Sequence, residues 1–148
     1  MAYRLPREPS TPRITLWRQL RRLGVAQIVD GVVALPLDAR TLEHLDWLAE
    51  EVIEHGGEAS VWLAAPGSAA QERALAAQMA AAVAADYQRV IEEAVARAGE
   101  PEVVRRRTLL RLRRELRRIA ARDYFPGAIA GRARAEVETL GVSLSAAS

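Results

Sequence analysis

Apolar residues near the beginning of the chain recur at the three- and four-residue steps of a helix, at Ile14, Leu16, Trp17, Leu20 and Leu23. Ser10 or Thr11 can cap this helix, and Pro12 fits its first turn. Gly24 follows the last apolar position, where helices commonly end. The pattern therefore predicts a helix between residues 11 and 23.

The next segment predicts a β-hairpin. Two runs rich in β-branched residues, 25–29 and 32–36, flank the pair Asp30-Gly31. An Asp-Gly pair between apolar runs is a strong hairpin signal, because these two residues adopt the positive φ that a tight turn needs.

A second helix and a further strand follow the hairpin. Asp38 begins the helix, and its apolar stripe consists of Leu42, Leu45, Leu48, Ala49, Val52 and Ile53. Gly56-Gly57 end it, and residues 58–65 have the composition of a strand. If residues 1–5 also form a strand, the order is β-α-β-β-α-β, that of the ferredoxin-like fold.

The rest of the chain is predicted to be helical, with helices over 69–98, 102–122 and about 129–140 and a disordered tail over 143–148. We therefore expect one α+β domain, 1–148, with a ferredoxin-like half over 1–66 and a helical half over 67–142. A winged helix–turn–helix is the alternative fold, with the hairpin as its wing. It fits less well, because a recognition helix needs a second helix before the hairpin.

The charges are distributed unevenly. The chain of 148 residues carries a net charge of +2, and all 21 basic residues are Arg. Residues 1–36 hold six Arg and two acids, residues 37–102 hold four Arg and thirteen acids, and residues 103–148 hold eleven Arg and four acids. The chain is thus basic, then acidic, then basic. Such basic segments suggest a phosphate-bearing partner.

The predicted helix over 102–122 carries most of the basic charge. Leu109, Leu112, Leu116 and Ile119 define one buried stripe, and the opposite half of the helix is rich in Arg. As candidate phosphate contacts we take Arg106, Arg107, Arg113, Arg114, Arg117 and Arg118 here, and Arg13, Arg18, Arg21 and Arg22 in the first helix. In the alternative interpretation, this is a solvated helix whose arginines pair with acids such as Glu92 and Glu93.

The sequence gives little support for catalysis or for a bound cofactor. There is no cysteine, and the two histidines, His44 and His55, do not have metal-ligand spacing. No nucleophile elbow, phosphate-binding loop or dinucleotide fingerprint occurs. We therefore expect no enzyme activity, no catalytic residue, no metal and no cofactor.

Hydropathy predicts no membrane segment, because no apolar run approaches the ~20 residues that span a bilayer. The polar, proline-rich beginning of the chain lacks the apolar stretch of a signal peptide, so a cytoplasmic location is expected. The few large aromatic residues are expected to be packing anchors: Trp17, Trp47, Trp62, Tyr124 and Phe125.

Four stretches resemble the N-terminal domain of the ChrB chromate-resistance proteins: RITLWRQLRRLG at 13–24, DGVVALP at 30–36, GGEA at 56–59 and RDYFP at 122–126. The resemblance extends from about residue 3 to residue 140. More distantly, the element order is similar to the Cas2-like domain of PaaX-type transcriptional repressors. Cas2 nucleases carry an acid at the end of the first strand, and the matching Tyr3-Arg4-Leu5-Pro6 has none.

The resemblance implies a regulator of a chromate efflux gene that binds DNA and responds to stress. Chromate or another oxyanion, a second copy of the chain and a separate ChrB-type C-terminal partner are further expected partners. ChrB proteins continue into a second domain associated with the chromate response, and this chain stops before it. It also begins late in its first strand, so the expectation is either a natural start that lies upstream or a first strand that is a short edge. The alternative function is a non-catalytic protein–protein interaction or oligomerisation module.

Overall fold

A computed structural model describes residues 1–145 of the chain. It contains a small four-stranded antiparallel sheet and five helices, and most of its residues are helical. The predicted α+β class is confirmed. The elements in chain order are β1 (Ala2–Arg4), α1 (Thr11–Leu23), β2 (Ala26–Val29), β3 (Val32–Ala34), α2 (Ala39–Glu54), β4 (Glu58–Ser60), α3 (Ala69–Arg97), α4 (Glu102–Ala121) and α5 (Ala128–Ser145).

The chain divides into two compact units, Met1–Leu75 and Ala76–Ser148. The division expected after residue 66 lies before this boundary, because the beginning of α3 belongs to the first unit by its contacts. The first unit contains the sheet with α1 and α2, and the second contains most of α3 with α4 and α5.

The strands of the sheet are arranged in the order β2-β3-β1-β4. Strand β1 lies between β3 and β4 and is antiparallel to both, and the predicted hairpin pairs β2 with β3. A bulge between Gln27 and Val29 brings Val29 opposite Val32 across the Asp30-Gly31 turn. Gly31 has φ +76°, and its carbonyl accepts a 2.7 Å hydrogen bond from the amide of Tyr3, which fixes the turn against β1.

Local sequence determines where the first two helices begin and end. Helix α1 ends at Gly24, which adopts the left-handed conformation with φ 74°. The Asp38 carboxylate accepts a hydrogen bond from the Thr41 amide, and the Thr41 hydroxyl accepts one from the Asp38 amide. This reciprocal capping box fixes the beginning of α2 and lowers the pKa of Asp38, mainly because the Thr41 amide stabilises the carboxylate.

The apolar stripes of α1 and α2 supply the core of the first unit. Its buried members are Met1, Leu16, Leu20, Val33, Leu45, Leu48, Ala49 and Val52. The predicted stripe of α2 is right except at its end, because Ile53 is 56% exposed. Ile53 directly follows Val52, the most buried position of this stripe, so it is turned by about 100° to the helix flank.

In the second unit, one buried cluster joins α3, α4 and α5: Val83, Tyr87, Val90, Ile91, Ala94, Leu109, Leu112, Leu116, Ile119, Ala130, Ala133, Val137 and Leu140. All four residues of the stripe predicted for α4 belong to it, so that prediction is confirmed. Ala130 and Ala133 let α5 approach α4 closely, because their side chains are small.

Two predicted boundaries differ from the structure. Strand β4 ends at Ser60 rather than at residue 65, because β1 offers it three residues for pairing. Helix α5 continues to Ser145, so the disorder predicted from residue 143 does not begin there. The last part of that predicted tail, 146–148, lies outside the described residues.

We predict that Gly57→Ala destabilises the first unit. A methyl group at this position would lie 2.4 Å from the Arg4 carbonyl oxygen and 2.8 Å from Val52 Cγ1, which is too close for van der Waals contact. Overpacking of this kind costs about 1–3 kcal/mol. Thermal unfolding followed by circular dichroism measures the loss.

Gly131→Ala is the matched control for this substitution. Gly131 lies within α5, and no heavy atom outside its own helix lies within 4 Å of the added methyl group. Alanine has the higher helix propensity by about 1 kcal/mol, so the control is expected to leave the melting temperature unchanged or to raise it. Equal loss of stability in both variants would contradict the predicted clash at residue 57.

Candidate nucleic-acid interface

Helix α4 buries its apolar stripe, and this fixes the orientation of all its arginines. Leu109, Leu112, Leu116 and Ile119 are each at most 9% exposed. Positions that lie three or four residues apart on the far side form an outward surface. We name this surface the outer face of α4; it consists of Val103, Arg106, Arg107, Leu110, Arg114 and Arg117.

The four arginines of the outer face are exposed and make no ion pair within residues 1–145. Two exposed apolar side chains lie among them, Val103 at 73% and Leu110 at 54% exposure. No acidic residue belongs to this face, since Glu102 and Glu115 lie at its flanks on the helical wheel. The face therefore presents four positive charges to solvent without internal neutralisation.

The flanks of α4 carry arginines that are neutralised. Arg111 pairs with Glu93 of α3, Arg113 with Glu138 of α5, Arg118 with Glu115 of its own helix, and Arg122 with Asp86 of α3. Arg113 and Arg118 belong to the predicted phosphate contacts, so the structure separates them from Arg106, Arg107, Arg114 and Arg117. One side of the helix thus carries ion-paired arginines, as the alternative interpretation expected, and the arginines of the outer face are not ion-paired.

Among these pairs, Arg113 and Glu138 have the most favourable geometry. Arg113 donates from Nε to Glu138 Oε1 at 2.9 Å and from Nη2 to Oε2 at 2.5 Å. This bidentate contact lowers the pKa of Glu138 and raises the pKa of Arg113, mainly through the hydrogen bonds. Both side chains remain partly exposed, so water and salt screen their attraction.

A more enclosed polar cluster joins α3 to the end of α4. Arg122 donates to Asp86 at 2.7 Å, and both side chains are less than one-fifth exposed. Nearby, the buried Tyr87 hydroxyl donates to Asp123 at 3.1 Å. Burial raises the pKa of Tyr87, and the negative charge of Asp123 raises it further. These contacts hold the helices of the second unit in register and are not available to a ligand.

Helix α1 carries the remaining predicted contacts in the first unit. Arg13, Arg18, Arg21 and Arg22 are all exposed and make no ion pair in the part of the chain that the structure describes. The Arg21 guanidinium lies 4.8 Å from the centre of the Trp17 ring, a cation–π contact. The ten predicted arginines therefore belong to two surfaces, one in each unit.

The prediction that the large aromatic residues are packing anchors is wrong for the tryptophans. Trp17 is 53% exposed, Trp47 64% and Trp62 71%, and Phe125 is also exposed. Trp62 loses its expected burial because β4 ends before it. Trp17 and Trp47 lie on the solvent sides of α1 and α2, next to charged residues. The sequence offered one signal of this exposure. Trp17 directly follows the buried Leu16, and Trp47 directly precedes the buried Leu48, so each tryptophan is turned by about 100° from the leucine beside it.

No helix within residues 1–145 has the length and apolar content that crossing a membrane requires. Among the same residues, no three His, Asp or Glu side chains are grouped so that they could hold a metal ion. The Nδ1 atom of His55 lies 2.8 Å from the carbonyl oxygen of Glu51 in its own helix, which accounts for one ring nitrogen.

We predict that Arg113→Gln raises the pKa of Glu138 toward that of an ordinary glutamate, because the shorter, neutral amide loses the bidentate hydrogen bonds that stabilise the carboxylate and also removes the positive charge. A lowered folded-state pKa contributes stability above the ordinary glutamate pKa, and this contribution is lost as pH falls through the lowered value. Carbon-13 NMR titration of the carboxyl group measures the shift. In the control Arg114→Gln, the pKa of Glu138 should stay lowered, and a rise there would contradict the assigned pairing.

The comparisons with known proteins place the chain in one family. The model described as "Protein ChrB, N-terminal" matches residues 13–100. Neither the curated proteins nor the solved structures contain a match. The matched range includes α1, the hairpin, α2, β4 and α3, whereas the outer face of α4 lies beyond it. Since the match covers more than half of the chain, this protein belongs to the ChrB N-terminal family.

Proposed function

We propose that this protein is a non-catalytic regulator associated with chromate resistance, and that it binds duplex DNA by its phosphate backbone. Membership of the ChrB N-terminal family suggests the chromate association. The proposed DNA contacts are the outer face of α4 and the arginines of α1. In this function the arginines supply affinity for DNA near a chromate efflux gene. Phosphate contacts carry no sequence information, so contacts with base edges would set the choice of site.

One observation carries the proposal: Arg106, Arg107, Arg114 and Arg117 are exposed, lie on one face and have no acidic partner among the described residues. Solvated helix faces usually carry charged residues of both signs, whereas every charged residue of this face is positive. A guanidinium stays protonated at any physiological pH and can donate two hydrogen bonds to one phosphate. Four such groups along a helix fit the spaced phosphates of a nucleic-acid backbone.

We also propose that the first unit is ferredoxin-like. Its order β-α-β-β-α-β and its antiparallel strand arrangement β2-β3-β1-β4 support this assignment. Both predicted helices of the half pack into the same core as the sheet. Such a unit holds α1 rigidly, so that its exposed arginines keep a fixed spacing.

A protein–protein interaction module is the second candidate function, and the surface of α2 favours it. Glu43, Asp46, Glu50 and Glu54 are exposed there, and Trp47 lies among them at 64% exposure. Exposed tryptophans are enriched at the centres of protein interfaces. A second copy of the chain, or a separate ChrB-type C-terminal partner, is the proposed occupant. Chromate or another oxyanion is a proposed effector, held by an arginine pair.

We predict that Arg114→Gln with Arg117→Gln weakens binding to random-sequence duplex DNA. The double variant removes two phosphate contacts, and each contact releases counterions. The slope of log K against log salt should therefore fall in magnitude by about 1.8. Fluorescence anisotropy over a salt series measures both the affinity and the slope.

The matched control is Arg111→Gln with Arg113→Gln, which removes the same charge from arginines of the same helix that are ion-paired with acids of neighbouring helices. Because Glu93 and Glu138 pair with these arginines, the control should lose less affinity and less slope. Equal losses of affinity and slope in the two double variants would indicate a general effect of net charge and would contradict specific contacts by the outer face. Undiminished binding of the first variant would exclude the outer face as the interface.

We further predict a preference for duplex DNA from the region upstream of the protein's own coding sequence, over random duplex of equal length, and that chromate changes it. An anisotropy competition at fixed salt measures the preference, with sulfate at equal concentration as the control for a general anion effect. Equal affinity for both duplexes with and without chromate would contradict a regulatory role for this domain.

A further inference from the structure

A groove in the first unit lies between α1 and one end of the sheet. It has a volume of about 820 Å³, within the size range of small-molecule sites. Its walls come from β1, from the first half of α1 and from the β2–β3 turn, and they include Tyr3, Arg13, Trp17 and Asp30. None of these residues belongs to the outer face of α4.

One wall of the groove is suited to an anion. Helix α1 begins at Thr11, and its N-cap Ser10 makes no side-chain hydrogen bond to the backbone amides of the first turn. Ser10 and Arg13 both line the groove. Arg13 is exposed and has no ion pair among the described residues, so a guanidinium and the positive end of a helix dipole lie on the same side.

A second wall is suited to a planar ring. Trp17 and Ile14 line the groove at 53% and 47% exposure, although the core of this unit is close beneath them at Leu16. An indole in this position offers a stacking surface. The neighbouring Arg21 lies over the same ring and adds a positive charge to the stack.

The β2–β3 turn supplies an acceptor, the Asp30 carboxylate, whose Oδ1 also accepts a 3.4 Å hydrogen bond from Gln27 Nε2 in the same groove. Asp30 lines the groove beside Gly31, whose backbone is fixed by the hydrogen bond to Tyr3. The charges of Asp30 and Arg13 both act on the half-buried Tyr3 hydroxyl. Burial raises the pKa of Tyr3 most, Asp30 raises it further and Arg13 opposes the rise. Both charged groups therefore lie close enough to Tyr3 to act on its hydroxyl, and all three residues line the groove.

We propose that this groove binds a nucleotide whose base carries an exocyclic amino group, with its phosphate at Arg13 and the first turn of α1, its base on Trp17 and its amino group at Asp30. A simple oxyanion would use the first wall but would be repelled by the Asp30 carboxylate. Guanine, cytosine and adenine each carry an amino group that can donate to a carboxylate, whereas thymine has no amino group. The inference goes beyond the proposed function, since binding to a DNA backbone requires no unpaired base, although Arg13 belongs both to the groove and to the proposed backbone contacts of α1.

The first test follows the three tryptophan indole N–H signals by NMR while the full chain is titrated with dGMP to about 10 mM. We expect the Trp17 signal, assigned by Trp17→Phe, to shift and saturate while those of Trp47 and Trp62 stay in place. Titrations with dTMP and with inorganic phosphate are run in parallel. Weaker binding of dTMP supports the proposal. Absence of a saturable shift, or equal shifts with phosphate alone, would overturn it.

Substitutions then test each wall, with binding followed by the amide signals of the groove. Trp17→Leu should weaken dGMP binding roughly tenfold or more, because a stacked base is lost. Trp62→Leu, which removes another exposed tryptophan of the first unit that does not line the groove, is the control and should have no effect. Asp30→Asn should reduce the preference for dGMP over dTMP, and Arg13→Gln should weaken both alike. Unchanged affinity in Trp17→Leu and Arg13→Gln would overturn the assignment.

Two further arms identify the source of the nucleotide and separate this inference from the proposed function. A pentadeoxynucleotide with one central guanine that moves the same signals more tightly than dGMP would indicate a strand in the groove. Selective binding of dGMP would indicate a free nucleotide. The variant with Arg114→Gln and Arg117→Gln should bind dGMP normally. If its DNA affinity falls while dGMP fails to bind wild type, the inference fails and the proposed function stands.

Discussion

The burial of one leucine-rich stripe on α4 is the constraint from which the second unit's surface follows. Leu109, Leu112, Leu116 and Ile119 pack into a core shared with α3 and α5, and apolar burial of this kind is the main favourable term in folding. Because a helix is rigid at 3.6 residues per turn, fixing this stripe fixes every other side chain of α4. The flanks turn toward neighbouring acids, and the remaining arginines turn toward solvent.

This arrangement explains how one helix can be both neutralised and open to a partner. The pairs made with Glu93, Glu138 and Asp86 connect α4 to the helices beside it. They contribute modestly to stability because most of them are exposed and screened. The outer face has no such neighbours, since no other described helix supplies an acid to it. Its four arginines are therefore exposed to solvent and carry no ion pair among the described residues.

The first unit uses a different solution, in which a small sheet positions short polar segments. Hydrogen bonding of Gly31 to Tyr3 places the hairpin turn against the central strand, and the capping box at Asp38 sets where α2 begins. Between the turn and α1 lies a groove that combines an arginine, an indole and a carboxylate. The family match covers α1 and the turn, whereas the outer face of α4 lies outside it. Of the two candidate surfaces, the groove thus lies mostly within the residues that the family model matches, and the outer face of α4 does not.

The sequence by itself determined the elements and their order, because periodicity, capping residues and the Asp-Gly turn act within a few residues of each other. It also determined the buried stripe of α4 and the family resemblance. Only the tertiary structure decided that Arg113 has a partner and Arg114 has none, since Glu138 lies far from them in sequence. Likewise, the length of β4 and the exposure of Trp62 depended on how many residues β1 could offer for pairing. Contacts between distant segments leave no signal in the local sequence. These contacts decide which arginines are ion-paired and which are not.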